Sequence, residues 1–205
     1  MKISYAITVC NEFNEIKTLM EFLLKHKRSV DEIVILLDKP KASKELETLL
    51  EAYAQAEDIW LVLDSFNQNF ADWKNKLTSC CKGDYIVNID ADELPTDIFM
   101  NHIISVIEDN SEVDVLVIPR WNTVQGLTEE HIRRWGWRVD HMNRVNWPDY
   151  QMRVYKNNKN IQWINPVHEK LVGYTTFAPL PESMYFNHHK SIEKQEKQNQ
   201  LYNTI

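Results

Sequence analysis

Five short apolar runs, spaced about 25–30 residues apart, constrain the fold of this chain more than any other feature. They occupy residues 3–9, 33–37, 59–63, 85–89 and 113–118. Patterns with the period of an amphipathic helix lie between them, over residues 14–26, 43–56, 70–81 and 95–109. This alternation predicts an α/β fold with a mostly parallel sheet flanked by helices.

Composition narrows the class of protein. With 205 residues, 43% of them hydrophobic, the chain is long enough to bury a sizeable core in one domain. A net charge of −7 argues against a general nucleic-acid or anionic-membrane surface. Three cysteines suit a reducing compartment, and no apolar stretch approaches the roughly 18 residues of a membrane span. We therefore expect a soluble cytoplasmic protein with a small partner, and peripheral membrane association stays open.

The fourth apolar run ends in a group of acids. Residues 85–89 are followed by Asp90, Asp92 and Glu93. Open α/β sheets bind ligands at the carboxyl ends of their strands, and carboxylates at positions i and i+2 of a turning strand can face one hard ion. We therefore expect Asp90 and Asp92 to bind Mn²⁺ or Mg²⁺. The alternative is a solvated acidic loop before a helix.

Glycine-rich phosphate loops are absent from the sequence. The only four glycines stand at positions 83, 126, 136 and 173, which disfavours a dinucleotide oxidoreductase and a P-loop NTPase. A diphosphate would then need the metal together with basic side chains, because charge-assisted contacts to phosphate are strong. The basic candidates are Lys74, Lys76, Arg120 and Arg153.

The second half of the chain differs in composition. Residues 120–153 hold six of the seven arginines, and residues 121–163 hold five of the seven tryptophans. Strand-like pieces are predicted at 152–156, 161–164 and 171–174, and a polar helix at 191–202. We therefore interpret the segment after residue 119 as an insertion that forms part of a binding site. Sugar rings could contact Trp121, Trp135, Trp137 or Trp147 there.

Several motifs together resemble a known family. In the first half they are TVCNE at 8–12, Asp38, the segment 67–75 with CKG at 81–83, and DYIVNIDADE at 84–93. This combination resembles glycosyltransferases of the GT-A fold, and family two in particular. PDYQMRVY at 148–155, VHE at 167–169 and NHH at 187–189 resemble, more loosely, sugar transferases of the lipopolysaccharide-core type.

The resemblance implies a metal-dependent glycosyltransferase. Such an enzyme moves a sugar from a nucleoside diphosphate donor, here expected to be a UDP-sugar, to a hydroxyl of a carbohydrate acceptor. It implies one GT-A-like domain over residues 1–205, with nucleotide-sugar binding in 1–119 and an acceptor side with the C-terminal helix in 120–205. Asp38 is implied at the base, and Asp90 with Asp92 at the metal and diphosphate. The implied nucleotide-binding residues are Thr8, Asn11, Glu12, Asp38, Asn67, Lys74, Asp90 and Ala91.

Two roles are assigned by position along the chain. His188 is expected as a third metal ligand or diphosphate contact, with His189 as the alternative, because adjacent residues on a strand point to opposite sides. Glu169 is expected to be the catalytic base that accepts the proton of the acceptor hydroxyl. Asp149 is the second candidate for the base and Asp140 the third, since the acidic pair usual in relatives is not plainly present.

Two other classes of protein stay open. One is a nucleotidyltransferase or another nucleotide-sugar enzyme, although such a protein would normally carry a glycine- and arginine-rich signature near its first strand. The other is a non-catalytic sugar-binding relative, which would be expected to lose the paired acids Asp90 and Asp92. The donor sugar, the acceptor and the stereochemical course do not follow from the sequence.

Overall fold

The computed structural model describes residues 1–202 and 204–205, and a nine-stranded sheet forms its centre. The strands in chain order are β1 (Ile3–Val9), β2 (Glu32–Asp38), β3 (Ile59–Asp64), β4 (Tyr85–Asp90), β5 (Glu93–Pro95), β6 (Val115–Gln125), β7 (Val145–Lys156), β8 (Gln162–Ile164), β9 (Lys170–Val172), β10 (Phe177–Pro179) and β11 (Phe186–Ser191). The helices are α1 (Phe13–His26), α2 (Lys44–Tyr53), α3 (Phe70–Cys80), α4 (Asp97–Asp109), α5 (Glu129–Trp135) and α6 (Ile192–Tyr202).

The sheet is mostly parallel, as the alternating pattern predicted. Its order is β3-β2-β1-β4-β7-β6-β11-β5, with β10 paired to β6, while β8 and β9 form a separate hairpin. Strands β7 and β5 run antiparallel to their neighbours, and the other pairs in the large sheet are parallel. The carboxyl ends of β1, β2 and β4 therefore meet at one edge of the sheet.

Helices cover both faces of the first four strands. Because strand side chains alternate, Tyr5 and Ile7 of β1 join the cluster that includes α1, α2 and α4, whereas Ala6 joins the cluster that includes α3. Ser43, Asn69 and Thr96 cap α2, α3 and α4 through side-chain oxygens that accept a backbone N–H of the first turn. This rigid half positions the acids at the end of β4.

Three predicted boundaries are wrong. The predicted strand 113–118 continues as β6 to Gln125, the predicted strand 152–156 begins earlier as β7 at Val145, and α2 ends at Tyr53 rather than at residue 56. Pro119 does not stop β6 because β10 pairs with residues 115–117 and β11 with residues 120–125. The missing N–H of Pro119 falls in the gap between these two partners.

Four elements were not predicted as such: β5, β10, β11 and α5. Strand β11 reads FNHHKS and α5 reads EEHIRRW, and neither has an apolar periodicity that sequence analysis detects. None of the helices in the part of the chain that the structure describes is long and apolar enough to cross a lipid bilayer.

Candidate functional site

The edge where β1 and β4 end joins Thr8, Asp90 and Ala91. Parallel pairing places Thr8 opposite Asp90, and the Thr8 hydroxyl donates to Asp90 Oδ1 at 3.2 Å. The Ala91 amide donates to the Thr8 carbonyl oxygen at 3.2 Å. These two hydrogen bonds fix the acidic turn to the neighbouring strand. The alternative interpretation, a freely solvated acidic loop, therefore does not describe it.

Asp90 lies among basic side chains. Arg153 Nη2 is 2.6 Å from Asp90 Oδ2, and Lys74 Nζ is 3.5 Å from Asp90 Oδ1. Both cations are buried, at 4% exposure of their side chains. Burial alone would raise the pKa of Asp90, but the charges of Arg153 and Lys74 outweigh it and hold this pKa well below its ordinary value. Asp90 is therefore ionised at neutral pH.

Glu93 anchors the arginines of the site. Its Oε1 is 2.5 Å from Arg153 Nη2 and 3.2 Å from Arg120 Nη1, and its Oε2 accepts the Asp90 amide at 3.2 Å. The side chain of Glu93 is fully buried. The buried Arg153 Nε has no hydrogen-bond partner within the described residues, so one N–H of this guanidinium is unsatisfied.

Asp92 faces the end of β11 and the start of α6. Its Oδ2 lies 3.6 Å from His188 Nε2, 3.5 Å from Lys194 Nζ and 3.9 Å from Lys190 Nζ. Burial opposes ionisation, but His188 in its protonated form and the charges of the two lysines lower the pKa of Asp92 further than burial raises it. The alternation of β11 sends His188 and Lys190 to this side, while His189 is exposed and contacts Thr123.

A chain of hydrogen bonds sets the orientation of His188. Asn122 Nδ2 donates to Asp149 Oδ2 at 2.7 Å, which leaves Asn122 Oδ1 to accept from His188 Nδ1 at 2.6 Å. A neutral imidazole that donates from Nδ1 has its lone pair on Nε2, the atom that faces Asp92. Burial lowers the pKa of His188, which favours this neutral form.

Asp90, Asp92 and His188 are the residues of this edge that could hold a divalent ion. Among residues 1–202 and 204–205, no three His, Cys, Asp or Glu side chains converge to hold an ion by themselves. Mg²⁺ and related ions, however, are commonly held by one or two carboxylates with phosphate oxygens and water in the other positions. Asp92, Asp90 and the free lone pair of His188 Nε2 match that donor set.

Glu169 and Asp149 have different surroundings. Glu169 Oε1 is 2.6 Å from Lys74 Nζ, the same ammonium that contacts Asp90. Burial would raise the pKa of Glu169, but the charge of Lys74 lowers it overall. Asp149 instead accepts hydrogen bonds from Arg120, Asn122 and Gln151 on its two oxygens. Asp149 is therefore more fully engaged than Glu169.

Three other acids and amides line the ends of β1 and β2. Glu12 Oε2 accepts the amides of Cys10 and Asn11 at 2.8 and 3.0 Å, which shapes the turn after β1. Asn11 is exposed and its side-chain oxygen accepts the Ser43 amide. Asp38 is buried at the end of β2, where its Oδ1 accepts the Phe66 amide at 3.1 Å. This second group lies beside the Thr8–Asp90 pair because β1 lies between β2 and β4.

Three sequence candidates lie outside this cluster. Asn67 is exposed, and its side chain contacts Asn69 and Asp72 at the start of α3. Lys76 pairs with Asp64 on the surface. Asp140 binds Arg144 Nε at 2.7 Å in the loop before β7. The structure therefore connects none of the three to Asp90 or Asp92.

Four residues of the site escaped the sequence analysis: Glu93 as an anchor, Asn122, Lys190 and Lys194. The i, i+2 spacing of His188 and Lys190 was a usable signal, because two polar residues on one face of a strand share a neighbour. Asn122 lies in the polar second half of β6, where no pattern distinguished it.

The fold and this charged edge define an α/β protein of the GT-A type. The sequence profile of "Glycosyl transferase family 2" matches residues 4–164. The chain belongs to glycosyl transferase family 2. No curated protein sequence matches it significantly.

Solved structures of S. aureus TarS share the fold. The crystal structure of TarS superimposes with a TM-score of 0.65 at 14% identity, covering 92% of this chain and 37% of TarS. TarS 1-349 in complex with UDP gives 0.65 at 15% identity, covering 98% and 64%, and the complex with UDP-GlcNAc gives 0.61 at 15%, covering 93% and 59%. This chain thus spans from 37% to 64% of the length of these TarS chains.

Proposed function

We propose that this protein transfers a sugar from a nucleoside diphosphate donor, with UDP as the nucleotide, to a hydroxyl of a carbohydrate acceptor, with the help of Mn²⁺ or Mg²⁺. The single observation that carries the proposal is the balance of charge at the end of β4. The side chains that form this cluster are Asp90, Asp92, Glu93, Asp149 and Glu169 on the acidic side, and Lys74, Arg120, Arg153, Lys190 and Lys194 on the basic side.

These five carboxylates and five cations cancel when His188 is neutral, and Glu15, which pairs with Lys194 at 3.0 Å, adds a sixth carboxylate at the outer side of the cluster. A diphosphate entering alone would leave uncompensated negative charge in a partly buried site, which is costly. A divalent cation entering with it offsets the two negative charges of a nucleotide-sugar diphosphate. The arrangement therefore supports binding of a metal and a diphosphate as one unit, with Asp92 and Asp90 toward the metal.

The similarities point to the same chemistry. Membership in family 2 supports sugar transfer, and TarS, which shares the fold, was crystallised with UDP and with UDP-GlcNAc. By the same similarity, Asp38 and the turn of Asn11 and Glu12 would contact the base and ribose. Asp38 and Glu12 are already held by backbone amides, so both are oriented before a nucleotide binds.

When bound, the ion would neutralise the leaving diphosphate as a Lewis acid. The protein's own contribution is to place Lys74, Arg153 and the lysines of β11 and α6 around it, and to keep a base ionised near the acceptor. Glu169 suits that base, because Lys74 is its single cationic partner in the described chain and keeps it deprotonated at neutral pH. Asp149 suits a positioning role, through Asn122 and Arg120.

Calorimetric titration with nucleoside diphosphates tests the proposal. UDP should bind in the presence of Mn²⁺ and much more weakly in EDTA, and UDP-sugars should be hydrolysed slowly in the absence of acceptor. Tight binding of ADP or GDP with no response to UDP and Mn²⁺ would refute the assignment of the nucleotide. UDP binding that is unchanged by EDTA would refute the metal.

A further inference from the structure

Helix α6 borders the candidate site and is attached to it by polar side chains. None of its residues, all of which the structure describes, is buried. Lys194 contacts Asp92 at 3.5 Å and Glu15 at 3.0 Å. Gln198 accepts from Lys190 Nζ at 2.8 Å. Partly exposed ion pairs contribute little to stability, so Lys194 can exchange partners when the charges of the site change.

Asp92 is the carboxylate at which the lysines and a metal ion would compete. Its Oδ2 lies 3.5 Å from Lys194 Nζ, 3.9 Å from Lys190 Nζ and 3.6 Å from His188 Nε2. Both lysines therefore face the same oxygen as the imidazole nitrogen that could help to hold an ion. A divalent cation at this oxygen would meet both ammonium groups, and like charges this close repel strongly in a partly buried site.

Lys194 is the lysine that can leave Asp92. Its side chain is 37% exposed, whereas that of Lys190 is 8% exposed and is bound to Gln198. Lys194 Nζ also has a second carboxylate in contact, Glu15 in the first turn of α1, which is closer to it than Asp92 is. The flexible stem of a lysine lets its ammonium shift while the helix stays in place. Contact with Glu15 keeps the displaced ammonium beside the site.

We propose that Lys194 makes metal binding at this site conditional on the diphosphate. In the free protein its ammonium pairs with Asp92 and opposes a divalent ion that arrives alone. When the ion arrives with a diphosphate, Lys194 exchanges Asp92 for a phosphate oxygen, because charge-assisted hydrogen bonds to phosphate are strong. The same side chain therefore disfavours the metal alone and favours the metal and diphosphate together. This inference rests on the proposed function, and it concerns the order of binding rather than the transfer step.

Two binding measurements on Lys194→Met test the proposal, because Met keeps most of the apolar stem and removes the charge. Electron paramagnetic resonance of free Mn²⁺, without UDP, should show that the variant binds Mn²⁺ about fivefold more tightly than the wild type, since no ammonium has to be displaced from Asp92. Calorimetry with UDP in the presence of Mn²⁺ should show binding about tenfold weaker, since a contact with the diphosphate is lost. The two effects have opposite signs, whereas a merely structural loss would weaken both.

The matched control is Lys197→Met, which removes an exposed lysine of the same helix and should change neither affinity. Lys194→Arg keeps the charge and should bind Mn²⁺ alone as weakly as the wild type. If the wild type binds UDP with Mn²⁺ but Lys194→Met binds Mn²⁺ alone no more tightly, this proposal is overturned and the proposed function stands. Weaker binding of both Mn²⁺ and UDP by the variant would reduce Lys194 to a structural role and overturn it too. A wild type that binds no Mn²⁺ with UDP would overturn the metal dependence of the proposed function, and this inference with it.

Discussion

Replacing Arg153 by Met should destabilise the protein strongly. The guanidinium is buried and is 2.6 Å from Asp90, 2.5 Å from Glu93 and 3.2 Å from Asn88 Oδ1. Met keeps most of the apolar stem but leaves two carboxylates without their principal cation. Removing one partner of a buried ion pair costs about 3–5 kcal/mol. Against a typical unfolding free energy of about 5–15 kcal/mol, that is a large fraction.

Urea unfolding followed by tryptophan fluorescence measures this loss. Arg138→Met is the matched control, because Arg138 is exposed, and its effect should stay within about 0.5 kcal/mol. The double variant Arg153→Met with Glu93→Gln should be more stable than Arg153→Met alone, since it removes one of the two unpaired buried charges. A loss below about 1 kcal/mol in Arg153→Met would refute the reasoning that this arginine holds the acids in place.

Three further predictions concern single side chains. Glu169→Gln should abolish sugar transfer while UDP-sugar binding, measured by calorimetry, is retained; near-normal turnover would remove Glu169 as the base. Asn122→Ser should weaken Mn²⁺ binding in the presence of UDP by about 10- to 100-fold, because Asn122 orients His188. An unchanged affinity would show that Mn²⁺ binding does not depend on this hydrogen bond. Burial would raise the pKa of Glu32, but hydrogen bonds from Lys2, Ser4 and the Lys82 amide lower it overall. The ionised Glu32 side chain therefore stabilises the folded protein above its unfolded pKa of about 4.3. This stabilisation is lost as the pH falls through the lower pKa of the folded state. Urea unfolding should therefore show a cost of Glu32→Gln at pH 7 that narrows below about pH 4, and a cost independent of pH would contradict it.

Sequence patterns were sufficient for the first half of the fold because its strands are buried on both faces. The runs that form β1, β2 and β4 are almost continuously apolar, and the helices between them carry apolar stripes. The acids at the end of β4 follow from the same pattern, since the run stops abruptly at Asp90. Burial on both faces of these strands is therefore visible in the sequence as continuous apolar runs.

The second half was less predictable because its strands carry the site. In β11, His188 faces Asp92 and His189 faces Thr123, so both sides of the strand are polar. The second half of β6 likewise places Arg120 and Asn122 among charges. The partners of such polar residues are distant in the sequence: 66 positions separate Asn122 from His188, to which it is hydrogen-bonded. No local periodicity records a partner at that distance.

The most direct test of the account is the binding of Mn²⁺ itself. Electron paramagnetic resonance measures free Mn²⁺ as the protein is titrated in the presence of UDP, for the wild type and for Asp92→Asn, with circular dichroism to verify that the variant is folded. The account predicts that the wild type removes Mn²⁺ from solution only when UDP is present, and that Asp92→Asn does so at least about tenfold more weakly. Equal Mn²⁺ binding by the two proteins, or none by the wild type with UDP, would contradict a metal–diphosphate site at the end of β4.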